Sequence, residues 1–340
     1  MEKRDLDIIM NSAVNWLMYK DKTVLVTGST GRLGRYIVDL LIEIDLRYNL
    51  NMDILCAARS SKKLQEVFNE ELHLPNVKVL CQDVNEPINY DGIIDFIFHT
   101  AGPAAPIDFK IRPAETLWSH INGTRNVLEC ARTHNTKKVF YISTVEIYGE
   151  CKGIQGITED DMGVLHHLNC RACYPEAKRL CETMLAVYKQ QYGISYCGVR
   201  LSHTLGPGIS LDDGRAFAEF INCSLKGEDI VLTSDGSAMR TYTYVADVIN
   251  AVFLIMEKGK ETLYNVSADE NLISVRDLAE LIASLSPSRR TKVRMSDEAA
   301  KLPYLPYKLP IMDTSRVRDL GWKPQVSLKE IFQWTMETLV

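Results

Sequence analysis

No run in this chain is both long and apolar enough to cross a bilayer, which excludes a membrane-spanning helix. The N-terminal MEKRDLDIIMNSAVNWLMYK carries acids and lacks the basic, apolar, small-residue layout of a signal peptide. It reads instead as a helical arm, residues 1–21, laid down before the first strand. There is no long basic run, and the formal net charge is -5. A nucleic-acid surface is therefore not expected, although a single phosphate-binding arginine is compatible with that balance. The nine cysteines are odd in number, and Cys56, Cys81, Cys130 and Cys197 stand in apolar runs. That usage fits reduced, buried thiols in a cytoplasmic protein. Cys170 and Cys173 form a CxxC with no second ligand pair, and His166–His167 has no third ligand, so no metal is expected. Internal repeats and low-complexity tracts are also missing.

What is present is a strand running into a glycine turn and a helix. Thr23 to Val26 is short, β-branched and apolar, as a buried parallel strand is. Gly28, Gly31 and Gly34 follow at three-residue spacing, and the helical pattern Leu33, Ile37, Leu40, Leu41 begins inside them. In such a cradle Gly28 permits the turn, Gly31 lets backbone approach a pyrophosphate, and Gly34 lets the helix pack on the strand. The helix N-terminus offers N–H groups to the anion. Further strands are expected at 52–58, 77–81, 93–98, 139–143 and 195–201, with helices at 113–134 and 175–191. This alternation predicts an α/β, Rossmann-like doubly wound parallel sheet with ligand at the carboxyl ends of its strands. After residue 201 the rhythm changes. Residues 203–215 read as loop, 217–226, 244–256, 275–285, 314–320 and 328–339 as helices, and 230–232, 264–266 and 291–295 as strands. The stretch 302–310 holds three prolines and reads as extended. The organisation expected is a dinucleotide-binding domain over 22–201 and a smaller, mainly substrate-binding lobe over 202–340, some of whose segments return to the sheet.

An acid is missing where one is usual. The second strand closes on Arg59, with Ser60, Lys62 and Lys63 beside it, instead of a carboxylate that would hold the adenosine ribose. Arg59 fits a 2′-phosphate, hence NADP, and fits equally an arginine stacked on adenine or simply solvated. Asp83, directly after the third strand, is placed to meet the adenine amino group, and Thr100, Ala101 and Gly102 let backbone pass beneath a cofactor. Tyr174 and Lys178 lie at i and i+4 on one helix face. A nearby ammonium lowers a phenol's pKa, so the tyrosine becomes a general base near neutrality. Thr144, ending the fifth strand, can hold the same substrate hydroxyl.

With these residues in place the chain resembles the extended short-chain dehydrogenase/reductases of the NAD-dependent epimerase/dehydratase family. The resemblance covers nearly the whole chain from about Lys22 and rests on TGSTGRLG, the Asp83 position, HTAG at 99–102, Asn122-Gly-Thr, STVEIYG at 143–149, YPEAK at 174–178, LGPG at 205–208 and RTYTYVADV at 240–248. Within that family, 102–116, 171–184 and 212–221 look most like UDP-glucuronate decarboxylases. The resemblance implies a catalytic set of Thr144, Glu146, Tyr174 and Lys178. It implies a cofactor, NAD or NADP, held by Gly28, Thr30, Gly31, Arg32, Leu33, Arg59, Asp83, Val84, Thr100, Ala101, Gly102, Asn122, Tyr174 and Lys178. It also implies a nucleoside-diphosphate sugar held by Pro103, Thr144, His203, Arg215 and Arg240. A homodimer through the helices of Asn122 and Tyr174 is expected on the same ground. Three departures bear on the reaction. Val145 stands where dehydratases carry the aspartate that protonates the leaving hydroxyl, which disfavours 4,6-dehydration; Glu146 remains, as in decarboxylases. His203 replaces a common Asn, and Gly208 stands where an Arg often follows Gly-Pro. The expected activity therefore passes through a 4-keto sugar, by decarboxylation or C4 epimerisation. Dehydration, net reduction or a non-catalytic dinucleotide sensor are the alternatives.

Overall fold

The computed structural model describes residues 1–152, 156–260, 262–288, 290–296 and 309–339. Its frame is a seven-stranded parallel sheet, ordered β3-β2-β1-β4-β5-β6-β10. The strands are β1 (Thr23–Thr27), β2 (Asp53–Ala58), β3 (Val77–Cys81), β4 (Phe96–His99), β5 (Lys138–Thr144), β6 (Tyr196–Leu201) and β10 (Leu263–Val266). Their residues alternate between two buried faces, as strands covered on both sides must. Val24 and Val26 of β1, Phe96 and Phe98 of β4 and Phe140 of β5 join one apolar cluster. Leu25, Ile97, Val139 and Tyr141 join the other.

The first face is covered by α2 (Arg32–Tyr48) and α8 (Val245–Lys258). Every residue of α8 from Val245 to Met256 is buried, which is why that helix is apolar on all sides save Asp247 and Asn250, both of them hydrogen-bonded, instead of on one stripe. The N-terminal arm closes over it. Helix α1 (Lys3–Met10) packs on α8, and Tyr19 sets its ring against Phe96 and Phe253. The wholly buried Asp5 accepts hydrogen bonds from Tyr36 at 2.7 Å and Tyr244 at 2.8 Å. Burial first, and then Asp5, drives both phenols upward, so they stay protonated donors. The second face is covered by α5 (Pro113–Thr133) and α6 (Cys173–Tyr192), which pack on each other.

Two connections carry short helices that hydrophobic periodicity did not show: α3 (Ser61–Val67) after β2 and α4 (Pro106–Ile111) after β4. Beyond residue 201 the segment 203–215 is not wholly loop. β7 (His203–Leu205) pairs with β9 (Met239–Tyr244), which pairs in turn with β11 (Leu272–Ser274). A second small sheet joins β8 (Ile230–Leu232) to β12 (Val293–Met295). β8 and β12 stand where strands were expected, whereas β7 and β11, three residues each with partners distant in sequence, leave no period to read. Helices α7 (Ala216–Lys226), α9 (Val275–Ser284), α10 (Ser315–Asp319) and α11 (Leu328–Glu337) complete this half, and β10 returns to the main sheet beside β6. The expected extended stretch at 302–310 lies outside the described residues as far as 308. Cys56, Cys130 and Cys197 are buried free thiols as expected, but Cys81 is exposed, because β3 is an edge strand. No described helix is long and apolar enough to cross a membrane.

Candidate active site

The strand order reverses between β1 and β4, and this is where a doubly wound sheet opens a crevice at the carboxyl ends of its strands. A cavity of about 400 Å³ lies there. Gly28, Thr30, Gly31, Arg59, Asp83, Val84, Thr100, Ala101, Gly102 and Pro103 all stand in its wall. The glycine turn is built for close approach. Gly28 has φ +69°, and a Cβ there would stand 2.7 Å from the Ala101 backbone. A Cβ on Gly34 would stand 2.3 Å from the Gly28 carbonyl, so that glycine brings α2 against the turn. Gly31 caps α2 in extended conformation. Thr100 holds the two strand ends together through a 2.8 Å bond from its hydroxyl to the Thr27 carbonyl.

At the far side, where β2 ends, Arg59, Ser60 and Lys63 line the wall. Asp83 lies beside them, one oxygen accepting from the Asn85 backbone at 2.9 Å. Ser119 of α5 lines the same cavity, and Asn122 follows it by three residues on that helix. Leu33 faces inward and packs against the core. The arrangement fits a dinucleotide: a glycine turn that only a residue without Cβ can make, a helix N-terminus, and a largely apolar wall that carries Arg59, Ser60, Lys63 and Asp83 at its far side.

The chemistry-bearing side chains gather at the ends of β5 and α6. Tyr174 is buried, its ring stacked on Phe109 of α4 at 4.3 Å and 14°, with the His120 ring 5.3 Å away. Burial raises the Tyr174 phenol well above its ordinary value, the charge of Glu146 raises it further, and the Thr144 hydroxyl, hydrogen-bonded to it, opposes the shift. The phenol thus lies above its ordinary value and not below it as expected from a nearby ammonium, and Lys178 is not among the chief influences on it. The Lys178 ammonium donates to the Ile142 carbonyl at 2.7 Å and lies 4.7 Å from the centre of the Tyr141 ring, and burial brings its own pKa down to about 8. Desolvation therefore dominates both groups.

Glu146 pairs with Arg171 at 2.7 Å, and the Arg171 guanidinium lies 4.8 Å over the Phe109 ring. Val145 is buried beside them and offers no acid. Sequence reasoning missed Phe109, His120 and Arg171; the one signal for Arg171 was its place three residues before Tyr174. His120 donates from Nε2 to the Pro103 carbonyl at 2.9 Å, since burial and Lys178 keep it neutral. Its ring also occupies the space a Cβ on Gly102 would need. It thereby fixes the backbone under the cavity. His166 and His167 are exposed, as solvated residues are.

His203, Arg215 and Arg240 also come together. His203 and Arg240 line a small second pocket with Val145 and Ser202. Arg215 donates to the Ala104 carbonyl at 2.8 Å and pairs with Asp213 at 3.1 Å. Burial, Arg215 and Arg240 hold His203 neutral, far below the usual imidazole range.

A parallel sheet with this turn, this crevice and a Thr–Tyr–Lys set is that of a dinucleotide-binding short-chain dehydrogenase/reductase. A model of the NAD dependent epimerase/dehydratase family matches residues 24–267, and the chain belongs to that family. UDP-glucuronic acid decarboxylase 3 of Arabidopsis thaliana is 30% identical over 309 residues, covering 90% of this chain and 86% of that protein. UDP-glucuronic acid decarboxylase 1 of Danio rerio is 30% identical over 325 residues, covering 95% and 74%. Among solved structures, UDP-glucose 4-epimerase of Thermotoga maritima superposes with a TM-score of 0.77 at 25% identity, covering 93% of this chain and 98% of that one.

Proposed function

We propose that the protein converts a nucleoside-diphosphate sugar through a transient 4-keto sugar, and that decarboxylation of a glucuronate-type substrate is the reaction. The observation that carries this is the pair of positions after Thr144: a buried valine, then a glutamate ion-paired to Arg171. Dehydration needs an acid next to Thr144 to protonate a leaving hydroxyl, and Val145 cannot supply one. Loss of carbon dioxide needs no such acid. The kinship with decarboxylases over 90% of the chain points the same way.

The cradle from Gly28 to Gly34, Asp83 and the backbone of 100–102 would hold the dinucleotide; bound, it supplies the hydride acceptor and donor. Thr144 orients the sugar's C4 hydroxyl, and Tyr174 takes the proton from its oxygen. Lys178 stands behind the phenol to hold the ribose. Once C4 is a ketone, a carboxylate on C5 is β to it. The C5–C6 bond then breaks with its electron pair passing into an enolate, and carbon dioxide leaves. His203, Arg215 and Arg240 hold the diphosphate and sugar. Arg59 and Lys63, with no carboxylate ending β2, suit a 2′-phosphate, so NADP is accepted as well as NAD. C4 epimerisation is the second reading. It needs no group beyond Tyr174, and the likeness to the Thermotoga maritima epimerase favours it.

The test is mass spectrometry and proton NMR of UDP-glucuronate incubated with the purified protein and a catalytic amount of NAD or, in parallel, NADP. Formation of a UDP-pentose with loss of carbon dioxide is expected with either cofactor, since return of the hydride regenerates it; UDP-4-keto-pentose, which leaves the cofactor reduced, accumulates at most to the amount of cofactor added. Unchanged mass with a new sugar spin system establishes the second reading. An unchanged substrate with both cofactors overturns glucuronate.

The dimer proposed for this family member uses the outer faces of α5 and α6, where Trp118, Leu180 and Val187 are exposed apolar side chains. Sedimentation velocity at micromolar concentration is expected to give a dimer, and a monomer refutes the assignment.

A further inference from the structure

Arg32 is the first residue of α2 and follows the glycine that caps it, so its backbone stands beside the dinucleotide cradle. Its side chain goes elsewhere. Thr30 and Gly31 line the large cavity, while the Arg32 guanidinium crosses to the other half of the molecule and donates from Nη2 to the Thr204 carbonyl of β7 at 2.7 Å. There it joins a group of like charges. Arg215 and Asp213 are its charged neighbours, and Arg215 is also felt by His203, beside which Arg240 stands.

Burial and then Arg215 lower Arg32 to about 10, with Asp213 only partly compensating. Three guanidinium charges less the Asp213 carboxylate leave +2 around an imidazole held neutral, since the Glu146 carboxylate that also faces Arg240 is offset by its own partner, Arg171. Bringing cations together out of water is unfavourable unless an anion of matching charge completes the group. A nucleoside diphosphate carries such a charge on two adjacent phosphates, and arginine's planar fork suits phosphate oxygens. The approach is open as well. Gly208, at φ +80°, contributes no side chain over this spot, and the nearest atom to the place of its missing Cβ is Cγ of Arg32, at 4.0 Å.

We propose that Arg32, although it belongs to the glycine-rich turn, binds the diphosphate of the sugar nucleotide and not that of the dinucleotide, acting as a pair with Arg215. This rests on the nucleotide-sugar reading above and reassigns Arg32 from the cofactor set. It makes one turn serve two diphosphates, the backbone of 28–31 holding one and the side chain of residue 32 the other.

The experiment is isothermal titration calorimetry of the full chain with UDP, with UMP, and with NAD and NADP, for wild type, Arg32→Gln and Arg32→Lys. The glutamine keeps a donor for the Thr204 carbonyl, and unchanged circular dichroism and melting temperature confirm that the fold is intact. Arg32→Gln is expected to weaken UDP ~10- to 100-fold. UMP affinity changes far less, so the preference for the diphosphate collapses, while both dinucleotides keep their affinities within about 2-fold. Arg32→Lys, which restores charge without the fork, is expected to fall between. Equal UDP binding in Arg32→Gln and wild type overturns the proposal, as does a loss confined to the dinucleotides. If wild type binds none of UDP, dTDP, CDP and GDP, the nucleotide-sugar reading itself fails and takes this one with it.

Discussion

Tyr174→Phe is expected to cut turnover ~10³-fold while leaving dinucleotide and UDP binding nearly unchanged. The ring of Tyr174 is held by stacking on Phe109 and by the edge of His120, and phenylalanine preserves both contacts. Only the hydroxyl is removed, and with it the atom proposed to exchange the substrate's C4 proton beside Thr144. Steady-state rates on UDP-glucuronate measure the loss, and calorimetry with the dinucleotide checks that the site is otherwise intact. A companion variant gives a pH signature. Burial and the negative charge of Glu146 both oppose ionisation of the phenol. Glu146→Gln removes the second of these, so the phenolate forms more easily and the acidic limb of kcat/KM is expected to move to lower pH. A limb that stays in place would confine Glu146 to ordering its own loop. Full cellular function in Tyr174→Phe would mean that the protein acts as a dinucleotide-binding sensor, not as a catalyst.

The parts of this site that could be read in the sequence are those with a period or a fixed spacing. β1, the glycine turn and the start of α2 announce themselves because strand, turn and helix each impose a residue pattern over a few positions. Tyr174 and Lys178 are visible because a helix returns to the same face after four residues. Asp83 and the 100–102 backbone follow from their place at strand ends. Phe109, His120 and Arg171 obey no such rule. Phe109 matters because α4 folds back over α6, and Arg171 because a short turn before α6 carries it to Glu146. Both are consequences of packing between segments far apart in the chain.

The same holds for the small sheet of β7, β9 and β11. His203 belongs to a strand because Tyr242, well over thirty residues later, is its partner in register. The surroundings of Lys178 could not be read either. Spacing puts the ammonium on the right face, but only the folded structure shows its bond to the Ile142 carbonyl and the burial that lowers its pKa. Arg32 is the sharpest case. Its position in the glycine motif suggests the cofactor, and its side chain reaches Thr204 on the substrate side.

Arg200→Met is expected to destabilise the fold by ~3–5 kcal/mol, the cost of leaving a buried charge without its partner. Arg200 is 4% exposed and binds Glu182 twice, at 3.2 and 2.7 Å. Its remaining amino group donates to the Tyr148 hydroxyl at 2.9 Å and the Glu159 carbonyl at 2.8 Å. Glu182 also accepts from Ser143 at 2.6 Å, and Tyr148 passes its proton's bond on to Asn265 at 2.6 Å. β5, β6, β10 and α6 thus meet in one buried polar network. Arg200→Met strands Glu182 as an unpaired carboxylate, and Glu182→Met strands the guanidinium. The double variant strands neither charge, so its loss measured by chemical denaturation is expected to be clearly smaller than the sum of the single losses. Additive losses would show that the two residues act independently. The network also bears on the proposed reaction. Ser143 precedes Thr144, and Glu182 lies on the helix of Tyr174, so the bond between them holds the two hydroxyls proposed to react at their spacing. The double variant is therefore expected to recover stability without recovering turnover, because apolar packing can replace the energy of the pair but not the bond that sets Thr144 against Tyr174.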